Sequence, residues 1–348
     1  MKNNRWIGWV AGILIIALVG YMALVYVLDP VMHYHAPWFG LKAQNGTARY
    51  NNYGIAKNVE FDSVILGAST FRHAKTSDYN TLYDANAARI VFIAGYYREQ
   101  SDWLNYAFEK KGSLDNVFWI LDAKGLLIGK DEYHYPNIPT YLYDDNLIND
   151  ISYLLNKDML PWMVRMLTNH TPLSFDSNDW RDDTGTDAIM KVYERSDTVK
   201  ATLPVDDAFI AKVEGNIRQN IESIVIAHPE TQFTFVTPPV NMFFWDGVIR
   251  AGELDQIMAA QRIVYDILSK YENVRIFNFL DSEELSKNYD LYSDTVHYLP
   301  EICTDIFEMT VAGEYMLTDE NIDKKLNAQL EMITGYDYES LFMKENEK

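Results

Sequence analysis

A serine at position 69 follows the apolar run Val64-Ile65-Leu66, at the point where the chain turns through Gly67 and Ala68. A serine hydroxyl becomes a useful nucleophile only when a base takes its proton and a further group holds that base in the right tautomer. Of the seven histidines, only His297 is preceded at short spacing by a carboxylate able to support it from the same loop: Tyr292-Ser293-Asp294-Thr295-Val296-His297-Tyr298. Ser69 is therefore the candidate nucleophile, His297 the base and Asp294 the residue that orients it. A βα turn whose serine merely caps the next helix is the plainer reading of Ser69, and the two stay open here. His73 is a rival base, but on the helix that the serine opens it would face away from Ser69.

Chemistry of this kind needs elements that bring distant residues to one edge. Short apolar runs, Ser63 to Leu66, Arg89 to Ile93, Val117 to Leu121, Phe233 to Thr237 and Val274 to Phe279, read as strands. Amphipathic stretches from Ser101 to Lys110, Asp207 to His228 and Glu253 to Tyr271 read as helices between them. That alternation predicts an α/β fold, a three-layer, doubly wound, five-stranded parallel sheet of flavodoxin-like type. Ligands of open α/β sheets bind outside the carboxyl ends of the strands. Ser69 ends the first strand and the D-x-x-H follows the fifth, so both fall on that edge. The backbone N–H groups after Ser69 would open a helix and give a field that suits an oxyanion.

The segment from Trp6 to Leu28 carries no charge and exceeds the roughly 20 residues a helix needs to cross a bilayer. It passes into Tyr26, Asp29 and Pro30 without a small-residue cleavage site, which reads as an uncleaved anchor. Lys2 and Arg5 before it place the amino terminus in the cytoplasm and the remainder outside. The expected organisation is residues 1–28 as stub and anchor, 29–60 as an extracellular connector, 61–317 as the catalytic domain with an inserted helical cap at about 125–230, and 318–348 as a carboxyl-terminal helix and tail. The chain has 348 residues, 48% of them hydrophobic, enough for one large domain or two small ones. A formal charge of −20 argues against nucleic acid and against tight contact with an anionic membrane surface. The single cysteine, Cys303, leaves no intramolecular disulfide, which for an exported domain points to a Gram-positive bacterium.

The strand-terminal G-x-S and the late D-x-x-H resemble the SGNH (GDSL-like) hydrolases over most of the exported chain. The anchor, Asp29-Pro30 with His33-Tyr34-His35, Arg49-Tyr50-Asn51-Asn52-Tyr53-Gly54-Ile55, Gly67-Ala68-Ser69-Thr70, Thr140-Tyr141-Leu142-Tyr143-Asp144-Asp145-Asn146 and Asp294…His297-Tyr298 look like a clostridial group of membrane-anchored SGNH proteins, similar to the DltD-type acyl-transfer proteins. The resemblance implies Ser69 as nucleophile, His297 as general base and then acid, and Asp294 as its orienting partner. It also implies an oxyanion hole from the N–H groups of Ser69 and Gly95, with no metal and no cofactor. Ala68 stands where the family name has aspartate. The third-block asparagine has no counterpart, and the third strand runs into Asp122. That carboxylate would repel an oxyanion if ionised, so it points away, is neutralised by Lys124 or Arg72, or binds something other than the acyl oxygen.

Tyr96 and Arg72 could shape the site. Phe243-Phe244-Trp245 could stack on sugar rings or plug the cap, with Trp245 the residue of interest. His33 and His35 lack further metal ligands and read as interface or packing residues. Asp144, Asp145 and Asp150 fit no calcium loop. Asn45-Gly-Thr and Asn169-His-Thr match the glycosylation pattern by chance.

The expected activity is an extracytoplasmic serine acyltransferase or acyl carrier. It would receive an acetyl or D-alanyl group from a membrane-bound O-acyltransferase-type donor protein and pass it to a cell-surface polysaccharide or teichoic acid. A surface carbohydrate esterase and a non-catalytic scaffold are the alternatives.

Overall fold

The apolar runs form strands because each can be covered on both faces. Val64, Ile65 and Leu66 in one, and Phe118, Trp119 and Ile120 in its neighbour, are at most 1% exposed, the pattern of a parallel sheet sandwiched between helices. A computed structural model of the chain describes residues 5–46, 48–170, 172–176, 180 and 182–342. Lys2, Thr47, Thr171 and the last six residues of the expected tail lie outside the described residues, so the charge and glycosylation readings that use them are not addressed by the structure.

The chain opens with α1 (Arg5–Leu28) and α2 (Ala48–Asn58), followed by β1 (Ser63–Gly67), α3 (Thr76–Tyr83), β2 (Ala87–Val91), α4 (Tyr97–Lys111) and β3 (Asn116–Ile120). A long segment then holds α5 (Ile151–Leu154), α6 (Met159–Thr168), α7 (Thr186–Val192), α8 (Asp207–Ile217) and α9 (Ser223–Ala227). β4 (Gln232–Thr237), α10 (Met242–Ala251), α11 (Leu254–Leu268) and β5 (Val274–Asn278) follow. Last come α12 (Glu283–Lys287), α13 (Pro300–Ala312) and α14 (Ile322–Thr334).

The chain divides into two compact units: Met1–Glu60 with Trp103–Gly112 and Tyr135–Ser174, and Phe61–Asp102 with Ser113–His134 and Phe175–Lys348. In the second, all five strands are parallel in the order β2-β1-β3-β4-β5. This is the doubly wound α/β sheet the sequence predicts. Because β1 lies between β2 and β3, chain direction across the sheet reverses there, and the crevice at their carboxyl ends is the switch point where ligands of such folds bind. β2 starts two residues earlier than expected, since Ala87 and Ala88 pair with Ser63 and Val64 despite alanine's weak strand preference. The helix expected from Asp207 to His228 is interrupted by a π-helical turn at Arg218–Glu222. There the buried Asn220 amide donates to the Lys130 carbonyl at 2.9 Å and to Asn216 Oδ1 at 2.8 Å.

The first unit draws on distant parts of the chain: residues 135–174 group with residues 1–60, and 175–230 group with the sheet. Residues 29–60 are no bare connector, because Asp29 organises them. Its carboxylate, fully buried, accepts from the N–H groups of His33 at 2.9 Å, Tyr34 at 2.7 Å and His35 at 2.9 Å, and from the Tyr153 hydroxyl at 2.7 Å. Four donors around one carboxylate satisfy a group that is otherwise costly to bury. Gly54 in α2 is required for packing, since a Cβ there would lie 2.0 Å from the Val31 carbonyl oxygen.

Candidate active site

The turn that carries Ser69 begins with a steric constraint. A Cβ on Gly67 would sit 2.8 Å from Ile120 Cβ, so the β1 exit can lie against β3 only with glycine there. Ala68 remains extended, and Ser69 to Phe71 form one 3₁₀ turn closed by the Arg72 N–H on the Ser69 carbonyl at 3.1 Å. The first N–H groups of such a turn have no acceptor within it.

His297 is presented by a tight loop. Tyr292 and Tyr298 pair as an antiparallel bridge, the Ser293 N–H donates to the His297 carbonyl at 3.0 Å, and the Leu299 N–H to the Leu291 carbonyl at 2.8 Å. Both tyrosines are buried, their rings edge to face at 6.1 Å. Inside the loop, Asp294 Oδ1 accepts from the N–H groups of Val296 at 2.8 Å and His297 at 2.7 Å. Its Oδ2 faces His297 Nδ1 at 2.5 Å, and His297 Nε2 lies 2.8 Å from Ser69 Oγ. An ionised carboxylate only accepts, so Nδ1 carries the proton and Nε2 is left to accept from the serine hydroxyl. Burial acts to raise the Asp294 pKa. The hydrogen bond and charge of His297 and the two amides outweigh it and hold the carboxyl below its ordinary value.

Asp122 lies two residues past the end of β3, beyond the last β1–β3 pair, Leu66 with Trp119. Asp122 Oδ1 accepts from Thr70 Oγ1 at 3.0 Å. The main-chain carbonyl of Asp122 accepts from the Tyr97 hydroxyl at 2.9 Å. Burial pushes the Asp122 pKa up to about 6, against the Thr70 hydrogen bond and the charge of His297, which favour the ionised form. Neither expected neutralising cation reaches it: Lys124 pairs with Glu253 at 3.3 Å, and Arg72 with Asp182 at 3.1 Å.

Other candidates fall elsewhere. The Gly95 N–H donates to the Phe92 carbonyl at 2.7 Å, closing a turn in which Ala94 adopts a φ of 51°, so that amide is not offered to an acyl oxygen. Glycine is needed there for room, because a Cβ would lie 2.4 Å from Phe92 Cβ. Trp245 is fully buried in α10 with Phe243 and Phe244, which makes it a core residue and not a sugar platform. The alternation of a buried helix and the composition of an aromatic binding loop look alike in sequence, and the apolar face of α10 decides between them. The Tyr96 hydroxyl meets His134 Nδ1 at 3.2 Å. Arg72 Nε donates to His73 Nε2 at 2.7 Å, which occupies the nitrogen that a rival base would use.

The remaining polar clusters are structural. His33 Nε2 pairs with Asp150 Oδ1 at 2.9 Å, both buried. Asp145 pairs with Lys110 at 2.5 Å and Lys57 at 2.8 Å, whose hydrogen bonds lower its pKa to about 2.

Two positioning residues were not singled out from the sequence, Thr70 and Asn241. Asn241 caps α10, its Oδ1 accepting from the Phe243 N–H at 3.1 Å, while its side-chain amide donates to the Asp294 carbonyl at 2.7 Å. The available signal was an asparagine directly before an apolar helical run, an N-cap pattern.

No family model matches the chain, and no curated protein matches it. Among solved structures, one described as "a putative platelet activating factor from Streptococcus pneumonia" aligns with a TM-score of 0.41 at 10% sequence identity, over 85% of this chain and 97% of that chain.

Proposed function

We propose that the sheet unit is a serine acyl-transfer enzyme of the SGNH type, working outside the membrane that α1 spans. The observation that carries this reading is the continuous chain Ser69 Oγ, His297 Nε2, His297 Nδ1, Asp294 Oδ2, with contacts of 2.8 and 2.5 Å. His297 takes the Ser69 proton as Oγ attacks the acyl carbonyl, and Asp294 stabilises the imidazolium. The tetrahedral oxyanion collapses, His297 gives its proton to the leaving oxygen, and an ester remains on Ser69. In the second half His297 deprotonates an acceptor hydroxyl, which takes the acyl group and frees the serine.

The oxyanion is met by the N–H groups that open the turn at Ser69 and by Asp122 in its protonated form, whose Oδ2 can donate where an asparagine amide would. The pKa near 6 keeps that protonated form accessible near neutrality.

The acceptor is a hydroxyl of a cell-surface polysaccharide or teichoic acid and the acyl group acetyl or D-alanyl, delivered by a membrane-bound donor protein. The resemblance in sequence motifs supports this choice. Hydrolysis is the second reading, favoured by the exposure of the imidazole and carboxylate, 23% and 31%, which leaves water a path to the acyl ester.

The test is an assay of the full-length protein with an acetylated aryl ester, with and without a glycan acceptor. Acyl transfer that Ser69→Ala and His297→Ala both abolish is the expected result. Acetate alone, regardless of acceptor, selects hydrolysis, and undiminished turnover by Ser69→Ala removes the proposal.

A further inference from the structure

The geometry points to a lipid-immersed face on the first unit: α6, with the segment before α5, sits in the outer interface of the bilayer that α1 crosses. This rests on the reading of α1 as a membrane span.

α1 has 24 residues, about 36 Å of helix at 1.5 Å per residue, against a hydrocarbon core of about 30 Å. Its slack is therefore only about 6 Å. Tyr21 lies two turns before the end of α1, about 10 Å short of Leu28 along the axis. Wherever the slack is placed, Tyr21 stays within the hydrocarbon, and helical side chains lean further toward the amino terminus. The Tyr21 hydroxyl donates to the Asn156 carbonyl, between α5 and α6, at 2.7 Å. Val25 and Leu28 share one apolar cluster with Tyr153, Met159, Met163 and Met166. The α5–α6 pair is thus fixed at the height of the last two turns of α1.

With Met159, Met163 and Met166 turned inward, α6 presents Leu160, Val164 and Leu167 outward, 52%, 52% and 60% exposed. Their i, i+4, i+7 spacing forms one stripe. Leu147, Ile148 and Ile151 continue the apolar exposure before and within α5. A water-facing helix would carry charge at these positions. Arg165 instead lies over the Trp162 ring at 5.3 Å, a pairing suited to the headgroup level, where Trp and Arg anchor interfacial helices. The occupant is phospholipid, because the stripe is continuous in height with the exposed flank of α1. The contact is apolar, so the overall negative charge of the chain does not oppose it.

The test uses the full-length protein in phosphatidylcholine bilayers, with Cys303→Ala as background and single spin-labelled cysteines at Leu160, Val164 and Leu167. A label at Ile15 reports on α1, and one at the exposed Asp183 serves as the chelate-accessible control. Expected are oxygen collision rates above those with a water-soluble nickel chelate at positions 160, 164, 167 and 15, and the reverse at 183. Labels at 160, 164 and 167 accessible to the chelate while Ile15 remains in lipid would overturn the inference and leave the span standing. Labels shielded from both reagents with dipolar broadening, the sign of a second copy on the stripe, would overturn it too. A chelate-accessible label at Ile15 would remove the span itself.

Discussion

The side-chain amide of Asn241 donates to the main-chain carbonyl of Asp294 at 2.7 Å, which ties the loop carrying His297 to the segment that leaves β4. The same residue caps α10, and the two roles use different atoms. Asn241→Asp keeps the accepting oxygen for the cap and deletes the donor to the loop. This variant is expected to fold, to lose about 1–2 kcal/mol of stability, and to lower kcat by one to two orders of magnitude with little change in KM, as loss of orientation does. Steady-state kinetics beside denaturant unfolding separates the effects, and an unchanged kcat would remove Asn241 from the machinery.

Asp122 makes a prediction about pH. Its folded pKa, near 6, is above the ordinary carboxyl value, so the folded state binds the proton more tightly than the unfolded chain. Its stability cost is absent below the unfolded pKa, grows as pH rises through the interval from about 4 to 6, and is complete above it. Asp122→Asn is therefore expected to stabilise the protein at pH 8 by about 1–3 kcal/mol and to do little at pH 4. If the protonated form serves the oxyanion, the variant also retains activity above pH 7 where the parent declines. Unfolding profiles across pH 4 to 9 and rate profiles across pH 5 to 9 check the two. An activity fall of the same shape in the two proteins would discard the oxyanion role.

Gly67 is the residue that lets β1 and β3 approach at the switch point. Gly67→Ala puts a methyl group 2.8 Å from Ile120 Cβ, and overpacking of this sort costs about 1–3 kcal/mol. Because Ser69 lies two residues on, activity is expected to fall with stability. Denaturant unfolding beside rate measurements checks this, and a Gly67→Ala protein with unchanged stability and rate would show that the approach of β1 to Ile120 is not a constraint.

Asp294 carries the tautomer. Asp294→Asn keeps the shape of the side chain but allows the imidazole proton to sit on Nε2, facing the hydroxyl it must accept from. A loss of about 10³–10⁴-fold in kcat is expected, with the fold retained. The Asp294 pKa is held below its ordinary value by His297 and the two loop amides. Its contribution to stability is therefore present above the unfolded carboxyl value and is lost as pH falls through the lowered one. The Asn variant should accordingly lose the acid-side decline that this group causes. Rate and unfolding measurements from pH 3 to 8 supply the comparison.

The strands were legible because the sheet is buried on both faces, which turns each one into an uninterrupted apolar run such as Val64 to Leu66. The encounter of Ser69 with His297 was legible for a related reason: the order of a doubly wound sheet places the ends of β1 and β5 on one edge. The aromatic run at Phe243 to Trp245 was ambiguous, since burial depends on which face of α10 meets the sheet and periodicity alone does not name its partner. The role of Gly95 was ambiguous because a glycine after a strand can offer its amide to a ligand or turn it inward, as it does here to the Phe92 carbonyl. The unit boundaries were hidden because Asp29 gathers donors from Tyr153, far along the chain, and no local pattern records such a pairing.

All of the proposed chemistry depends on activation of the Ser69 hydroxyl by His297. Treating the full-length protein with a fluorophosphonate and locating the adduct by peptide mass spectrometry tests it most directly. One adduct, on the Ser69 peptide, lost in His297→Ala while that variant keeps the parent's circular dichroism, is the predicted outcome. A folded protein that gains no adduct at Ser69, or gains it equally with and without His297, would contradict the account.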